Sequence, residues 1–176
     1  MPFPEPVPGL VIRYGYLWAE EHARRQEEGV KDRPCAVVLV TTDEAGEQWV
    51  TVLPITHTPP SVPELAVEIP AATKRRLGLD DERSWVVLSE ANRFLWPGPD
   101  LRPARLGDAA TVAYGQLPYT LFEGVRAKFI GAIRVRRARR SCRSKAFASD
   151  KRRLKFPDAV IASRIRHWGG DRPSCC

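Results

Sequence analysis

The chain has 176 residues, of which 43% are apolar and four are cysteine, and this composition fits one globular domain with its own core rather than a disulfide-stapled or fibrous protein. No apolar run approaches the ~20 residues that cross a bilayer, and the proline-rich amino end lacks the regions of a signal peptide, so we expect a cytoplasmic protein with no membrane contact. The net charge of +7 is uneven: residues 134–176 hold 14 Lys/Arg against 3 Asp/Glu, whereas residues 1–133 hold 14 against 18. The basic character therefore belongs to the tail and says nothing about nucleic-acid binding by the core.

The first half of the chain predicts three strands. Residues 9–16 alternate as a strand, and residues 17–28 form a charged, helix-prone connection. Residues 35–41 and 49–55 are apolar and β-branched, and the turn between them contains Gly46. We expect these last two strands to be antiparallel neighbours.

The middle of the chain predicts shorter elements. Residues 66–69 read as a brief strand, and residues 70–77 as a helical turn that Gly78 ends. Residues 85–89 form a buried strand, whereas the prolines of 92–103 indicate a rigid loop or an irregular edge.

An amphipathic helix is predicted over residues 118–138. Its apolar side chains recur at every fourth position, with two more that widen the stripe: Leu117, Leu121, Val125, Phe129 and Ile133, then Phe122 and Ile130. A helix of this kind covers a sheet. Strands followed by a closing helix predict an α+β, barrel-like fold.

The most informative feature is a pair of strand ends that carry polar groups. Pro34 cannot donate to a strand ladder, so we expect it to open its strand and to leave the Arg33 guanidinium free at a loop mouth. Thr56 and His57 follow the next strand, which Pro59 and the proline after it terminate. Neighbouring strands would bring a cation, a hydroxyl and an imidazole to one edge, a set that suits phosphodiester chemistry.

These segments, in this order, resemble the MazF/PemK family of toxin ribonucleases. The resemblance covers residues 8–133 and includes the opening strand, Arg33-Pro34, the Pro-Ile-Thr that ends at Thr56, and the strand at 85–89. The family carries Gly-Ser-Glu before its Arg-Pro; here Glu28 stands five residues before Arg33 without that glycine and serine. The resemblance implies a small SH3-like antiparallel β-barrel with a C-terminal helix, a homodimer that cleaves single-stranded RNA, and a cognate antitoxin.

The predicted mechanism is an attack by the ribose 2′-hydroxyl on the adjacent phosphorus. Arg33 would neutralise the phosphorane, because its planar fork matches phosphate oxygens. Thr56 would hydrogen-bond a phosphate oxygen or orient the attacking hydroxyl, or it would simply cap the turn that follows. His57 would move the proton, although the resemblance places no histidine there, or would be a surface loop residue. No Cys-x-x-Cys or paired histidines occur, so neither a metal nor a cofactor is predicted.

Six further residues are candidates for binding the substrate. Trp96 would stack on a base or serve as an apolar plug, and the basic run at 74–76 would touch phosphates or face solvent. The set is Glu28, Lys31, Lys74, Arg75, Arg93 and Trp96.

The chain is predicted to divide into a barrel domain, residues 1–138, and a basic tail, residues 139–176. The composition of the tail fits either a disordered extension or a run-on or out-of-frame translation. Two functions stay open: a sequence-selective, metal-independent endoribonuclease that acts as a growth-inhibiting toxin, and a catalytically silent SH3-like module that binds nucleic acid or a peptide.

Overall fold

The structure is a computed structural model, and it describes residues 3–18, 31–105 and 111–144, with side chains described as far as residue 135. The chain divides into two compact units, Met1–Arg139 and Arg140–Cys176. All but the first few residues of the second unit lie outside the described residues, and so does the predicted tail from residue 145 onward.

One curled, antiparallel sheet of seven strands forms the body of the first unit. The strand order is β4-β5-β3-β2-β1-β7, and β6 also pairs with β3. The strands are β1 Leu10–Gly15, β2 Asp32–Thr42, β3 Gln48–Thr56, β4 Ala66–Glu68, β5 Trp85–Val87, β6 Asn92–Leu95 and β7 Ala113–Gln116. A 3-10 turn at Pro63–Leu65 precedes β4, helix α1 spans Ala71–Leu77, and helix α2 spans Tyr119–Ser144. Within the described residues the fold is therefore mixed α+β, a half-barrel with two helices, one of which follows the last strand.

The β2–β3 hairpin is confirmed, and its turn is built by Asp43. The Oδ1 atom of Asp43 accepts the backbone N–H groups of Ala45 and Glu47, and its Oδ2 accepts Trp49 Nε1–H at 3.0 Å. These bonds, that of Trp49 first, hold the pKa of Asp43 below its ordinary value. Gly46 follows with φ of 82°, a conformation that glycine adopts without strain.

Each face of the sheet buries its own apolar cluster. One cluster includes Ala36, Val38, Leu53 and Ile55, and α2 covers it with Phe122 and Val125. The other lies on the opposite face and includes Leu10, Ile12, Tyr14, Tyr16, Cys35, Val37, Val50 and Val52. The predicted amphipathic helix over the sheet is confirmed, and the alternation of the strands assigns successive residues to the two clusters.

The structure corrects or refines the local predictions in three places. Strand β2 begins at Asp32, so Arg33 and Pro34 lie within it and face Tyr14 and Arg13 of β1. Pro34 is tolerated there although it offers no N–H. Of the predicted rigid loop or irregular edge at residues 92–103, the edge is what residues 92–95 form, as strand β6 against β3. Strand β7 is not predicted by the sequence.

Two glycines give a paired prediction about backbone conformation. Gly78 ends α1 with φ of 67°, so Gly78→Ala should lower the free energy of unfolding by about 1–2 kcal/mol. Gly124 is an exposed residue of α2 whose added Cβ would meet nothing within 4 Å, so Gly124→Ala should raise it by about 0.5–1 kcal/mol. Urea unfolding measures both, and effects of the same sign would contradict this account.

Among the helices in the described part of the chain, none is both long and apolar enough to span a membrane.

Candidate functional site

The candidate site lies at the end of β3, where Thr56 is the last strand residue. The last paired position of β2 and β3 is Cys35 opposite Pro54, and the same register continued by two residues places Arg33 opposite Thr56. Opposed residues of an antiparallel pair share a face, with Cβ atoms about 5 Å apart. Arg33 and Thr56 thus extend the face that carries Cys35 and Val52. The predicted approach of these two residues is consistent with the strand pairing.

The sequence predicts a free Arg33 guanidinium, but in the structure the guanidinium is stacked on an aromatic ring. Its carbon lies 4.9 Å from the centroid of the Trp18 ring. The side chain is partly buried, and its Nε atom is buried without a hydrogen-bond partner. The difference arises because Arg33 lies inside β2 rather than at a loop mouth, within reach of the Trp18 ring.

Trp18 is held in place from two sides. Its ring packs edge-on against Tyr16, with centroids 5.2 Å apart. In the amide orientation that satisfies both of its groups, Asn92 of β6 donates to the Leu17 carbonyl at 3.1 Å and accepts the Leu17 N–H at 3.0 Å. Strand β6 therefore fixes the backbone that carries Trp18.

Thr56 and Trp18 line one cleft of about 360 Å³. The described lining residues are an indole, three hydroxyl-bearing residues besides Thr56, two prolines and three aliphatic side chains: Trp18, Thr56, Thr58, Pro59, Pro60, Ser61, Val62, Leu65, Val87 and Ser89. None of these residues is ionisable near neutral pH. The cleft is thus apolar with hydroxyl groups at its wall, and the Arg33 guanidinium stacks on the Trp18 ring that lines it.

The Thr56 hydroxyl also takes part in a local turn. Its Oγ1 atom accepts the N–H of Thr58 at 3.2 Å. The hydroxyl hydrogen is still available to donate, because a hydroxyl can accept and donate at once. The turn therefore fixes the position of the hydroxyl at the cleft without using its donor.

His57 is held by carboxylates beside the cleft. Its Nε2 atom lies 3.2 Å from Asp80 Oδ2, and its Nδ1 atom lies 3.1 Å from Glu82 Oε2. His57 does not line the cleft. Because both ring nitrogens face carboxylates, the geometry favours an anchoring role for His57 over that of a proton shuttle.

Lys74 is buried rather than presented to a phosphate. Only 3% of the residue is exposed, and its Nζ atom contacts Asp80 Oδ1 and Ser84 Oγ at 2.7 Å each, as well as the Glu82 carbonyl. Burial alone raises the pKa of Asp80, but the bond and charge of Lys74, with His57 and the Glu82 N–H, bring it below its ordinary value. The prediction of Lys74 as a substrate-binding residue is therefore wrong.

The other predicted substrate-binding residues are scattered. Arg93 lies with its guanidinium 4.6 Å from the Trp49 ring centroid, far along β3 from Thr56. Trp96 packs against Phe94 at the opposite end of that strand, which favours the plug over the stacking platform. Lys31 and Arg75 are exposed, and neither lines the cleft.

Glu28 lies outside the described residues, as does the rest of the predicted helix-prone connection from residue 19 to residue 28.

Sequence reasoning missed Trp18, Tyr16 and the hydroxyl groups of Ser61 and Ser89. A signal for the two aromatics is present, because positions 10, 12, 14, 16 and 18 continue one alternation and so belong to one face. Nothing in the sequence pattern indicates the serines, which reach the cleft from loops.

Within the described ranges, no group of three or more His, Cys, Asp or Glu side chains could hold a metal ion. Cys35 is fully buried, and burial raises the pKa of its thiol well above the ordinary value. That thiol is therefore not a nucleophile at neutral pH.

No protein-family model matches this chain, and no curated protein matches it either.

Proposed function

We propose that this protein is a metal-independent, sequence-selective endoribonuclease that cleaves single-stranded RNA. The proposal depends on one observation: the β2–β3 pairing ends at Cys35 opposite Pro54, and the same register continued by two residues puts Arg33 opposite Thr56. Thr56 lines a cleft together with Trp18, the ring that the Arg33 guanidinium contacts. A fixed cation and a fixed hydroxyl donor are what a phosphorane needs. The resemblance to MazF/PemK toxins includes these two residues among its matching segments and supports this function.

The chemistry uses the substrate's own nucleophile. The ribose 2′-oxygen attacks phosphorus and gives up its proton to solvent water, the P–O5′ bond breaks, and the 5′-oxygen takes a proton from water. The products are a 2′,3′-cyclic phosphate and a 5′-hydroxyl. Arg33 stabilises the charge that builds up on the non-bridging oxygens, and Thr56 donates to one of them.

The cleft suits an unpaired nucleotide. Its indole and its aliphatic wall fit the face of a base, and its hydroxyl groups can reach the polar edge. A duplex holds its bases stacked inside, so only a single strand can place one here. RNA without stable secondary structure is therefore the proposed substrate class.

The biological setting follows from the resemblance. We propose that the half-barrel is of the SH3-like kind, that the protein is a homodimer, and that it is the growth-inhibiting toxin of a toxin–antitoxin pair whose antitoxin protein blocks it.

One observation favours the second candidate, a silent SH3-like module that binds nucleic acid or a peptide. Among the described lining residues of the cleft there is no carboxylate or imidazole, and His57 is engaged by Asp80 and Glu82. A site with donors but no base binds a phosphate without cleaving next to it. Cleavage by the purified protein separates the two candidates.

The test is cleavage of a long, weakly structured RNA by the full chain in excess EDTA, beside Thr56→Val and Thr56→Ser. We expect discrete fragments that end in 2′,3′-cyclic phosphate, a loss of about 10²-fold in kcat/KM for Thr56→Val, and near-normal activity for Thr56→Ser, which keeps the donor. The serine variant controls for the turn, because its hydroxyl still accepts the Thr58 N–H. Intact RNA with folded wild-type protein would instead support the binding module.

A further inference from the structure

We propose that the Tyr16 hydroxyl is a second phosphate donor beside Arg33, in a covered subsite that joins the cleft when Trp18 turns aside. The identity of the ligand as an RNA phosphate rests on the proposed function.

Tyr16 is buried in an unusual way for its type. The residue is 0% exposed, and its hydroxyl has no hydrogen-bond partner. Buried tyrosine hydroxyls usually find one, because a lone buried donor loses its bonds to water and gains nothing in return. Phenylalanine would fill the same space without that loss, so the hydroxyl has no evident role in stability. A buried polar atom of this kind is often explained by a ligand.

The second unpaired donor is close by. Tyr14 faces Arg33 across the β1–β2 pair, so Tyr16 is the diagonal neighbour of Arg33 on the same face of the sheet. The Nε atom of Arg33 is itself buried without a partner. A hydroxyl and a guanidinium N–H thus share a small region, and neither has an acceptor among the described residues. Two donors, one of them charged, select an oxyanion with at least two oxygens.

The hydroxyl stays protonated, as a donor must. Burial raises the pKa of Tyr16 far above its ordinary value, Glu90 and Cys35 raise it further, and only Arg33 among the named neighbours lowers it. At the Tyr16 hydroxyl the Glu90 carboxylate repels an anion, whereas the guanidinium of Arg33 attracts one.

Trp18 is the cover of this region and also a wall of the cleft. Its ring lies edge-on to Tyr16 and under the Arg33 guanidinium, at 5.2 Å and 4.9 Å between the respective centres. The same ring lines the cleft with Thr56. In the proposed subsite, rotation of the Trp18 side chain exposes both donors to a phosphate that is already in contact with Thr56.

The first measurement separates a binding role from a packing role. Tyr16→Phe is expected to melt at or above the temperature of the wild-type full chain, because it removes an unsatisfied hydroxyl. Tyr14→Phe is the matched control, a buried tyrosine of the same strand that stacks on Phe94 and whose hydroxyl is not among the unpaired atoms. A clear fall in melting temperature for Tyr16→Phe would mean that its hydroxyl stabilises the fold, and would overturn the inference.

The second measurement is a titration with inorganic phosphate, with sodium chloride and sodium sulfate at matched ionic strength. The probe is the indole N–H signal of Trp18 in the nuclear magnetic resonance spectrum, assigned by Trp18→Phe. We expect a saturable shift with phosphate and a dissociation constant that Tyr16→Phe raises about tenfold or more. An equal constant in Tyr16→Phe and wild type, or no response of the wild type to phosphate, would overturn the subsite.

RNA cleavage keeps the two proposals apart. Phosphate binding that depends on Tyr16, with no cleavage by the wild type, would leave the subsite standing and remove the ribonuclease. Cleavage that depends on Thr56, with phosphate binding unchanged by Tyr16→Phe, would leave the ribonuclease standing and remove the subsite.

Discussion

Arg33→Ala is expected to lower kcat/KM for RNA cleavage by about 10²- to 10³-fold, the usual cost of removing one preorganised donor from the place where negative charge develops. Arg33 lies within β2 and is paired with Tyr14 of β1, so the backbone that carries the guanidinium is already fixed when the phosphorane forms. The alanine variant loses the charge and the fork together. Gel analysis of fragments in excess EDTA measures the loss.

Arg33→Lys tests the fork separately from the charge. Lysine keeps the positive charge but offers a point charge in place of the planar pair of donors, so we expect most of the activity to be lost. The matched control is Arg93→Ala, which removes a similar guanidinium–indole contact, 4.6 Å over Trp49, away from the cleft. Equal losses in Arg33→Ala and Arg93→Ala would show that stability or general RNA affinity, rather than the site, accounts for the effect.

The long elements could be predicted because local pattern and tertiary packing agree in them. The hairpin of β2 and β3 has β-branched strands and a glycine turn, and α2 has a continuous apolar stripe. Each strand is long enough for its alternation to be visible. Their pairing then follows from the short turn, and with it the approach of Arg33 to Thr56.

The short edge strands could not be predicted, because their partners rather than their own residues stabilise them. Strand β6 has four residues beside a proline-rich loop, and β7 has four residues that include a glycine with φ of 132°. Four residues carry too little alternation to distinguish a strand from a loop. Strand β6 also positions Trp18, because Asn92 bonds to the backbone of Leu17. Without β6, the sequence does not predict that Trp18 forms a wall of the cleft.

The sequence also could not predict which charged side chains are buried or what they bond to. Lys74 was grouped with Arg75 as part of one basic face, yet Lys74 is buried and Arg75 is exposed. Helical periodicity assigns residues to a buried or an exposed face only when the apolar stripe is long enough to be recognised. Helix α1 has only seven residues, too few to show which face packs. The acceptors of Lys74 come from the loop that follows α1, whose conformation no local pattern predicts.

Lys74→Met is expected to lower the free energy of unfolding by about 2–3 kcal/mol, because a buried ammonium with three acceptors holds the loop from Asp80 to Ser84 against α1. Methionine fills the space of the stem but removes the Lys74 N–H bonds to both groups. The Ser84 hydroxyl then accepts no bond from Lys74, and the Glu82 carbonyl keeps only the 3.3 Å bond from Ser84 Oγ. The Asp80 side chain is half-exposed, so water can hydrate its carboxylate once the lysine is gone. The loss in free energy of unfolding is therefore at the lower end of the range for a broken buried pair. Urea unfolding at pH 7 measures the change.

The matched control for Lys74→Met is Arg83→Met, which removes a bidentate pair with Glu68 that lies on the surface. Exposed pairs contribute about 1 kcal/mol or less, so the free energy of unfolding of this variant should be close to that of the wild type.

The dependence of stability on acid pH provides a second check of the Lys74 prediction. The pKa of Asp80 is lowered in the folded state, so the stability that its pairing with Lys74 contributes is complete above the unfolded value of about 3.9 and is lost as the pH falls through the lower folded value. The difference between wild type and Lys74→Met should therefore narrow below about pH 4. A difference that stays constant down to pH 2 would mean that packing of the lysine stem, rather than its charge, holds the loop.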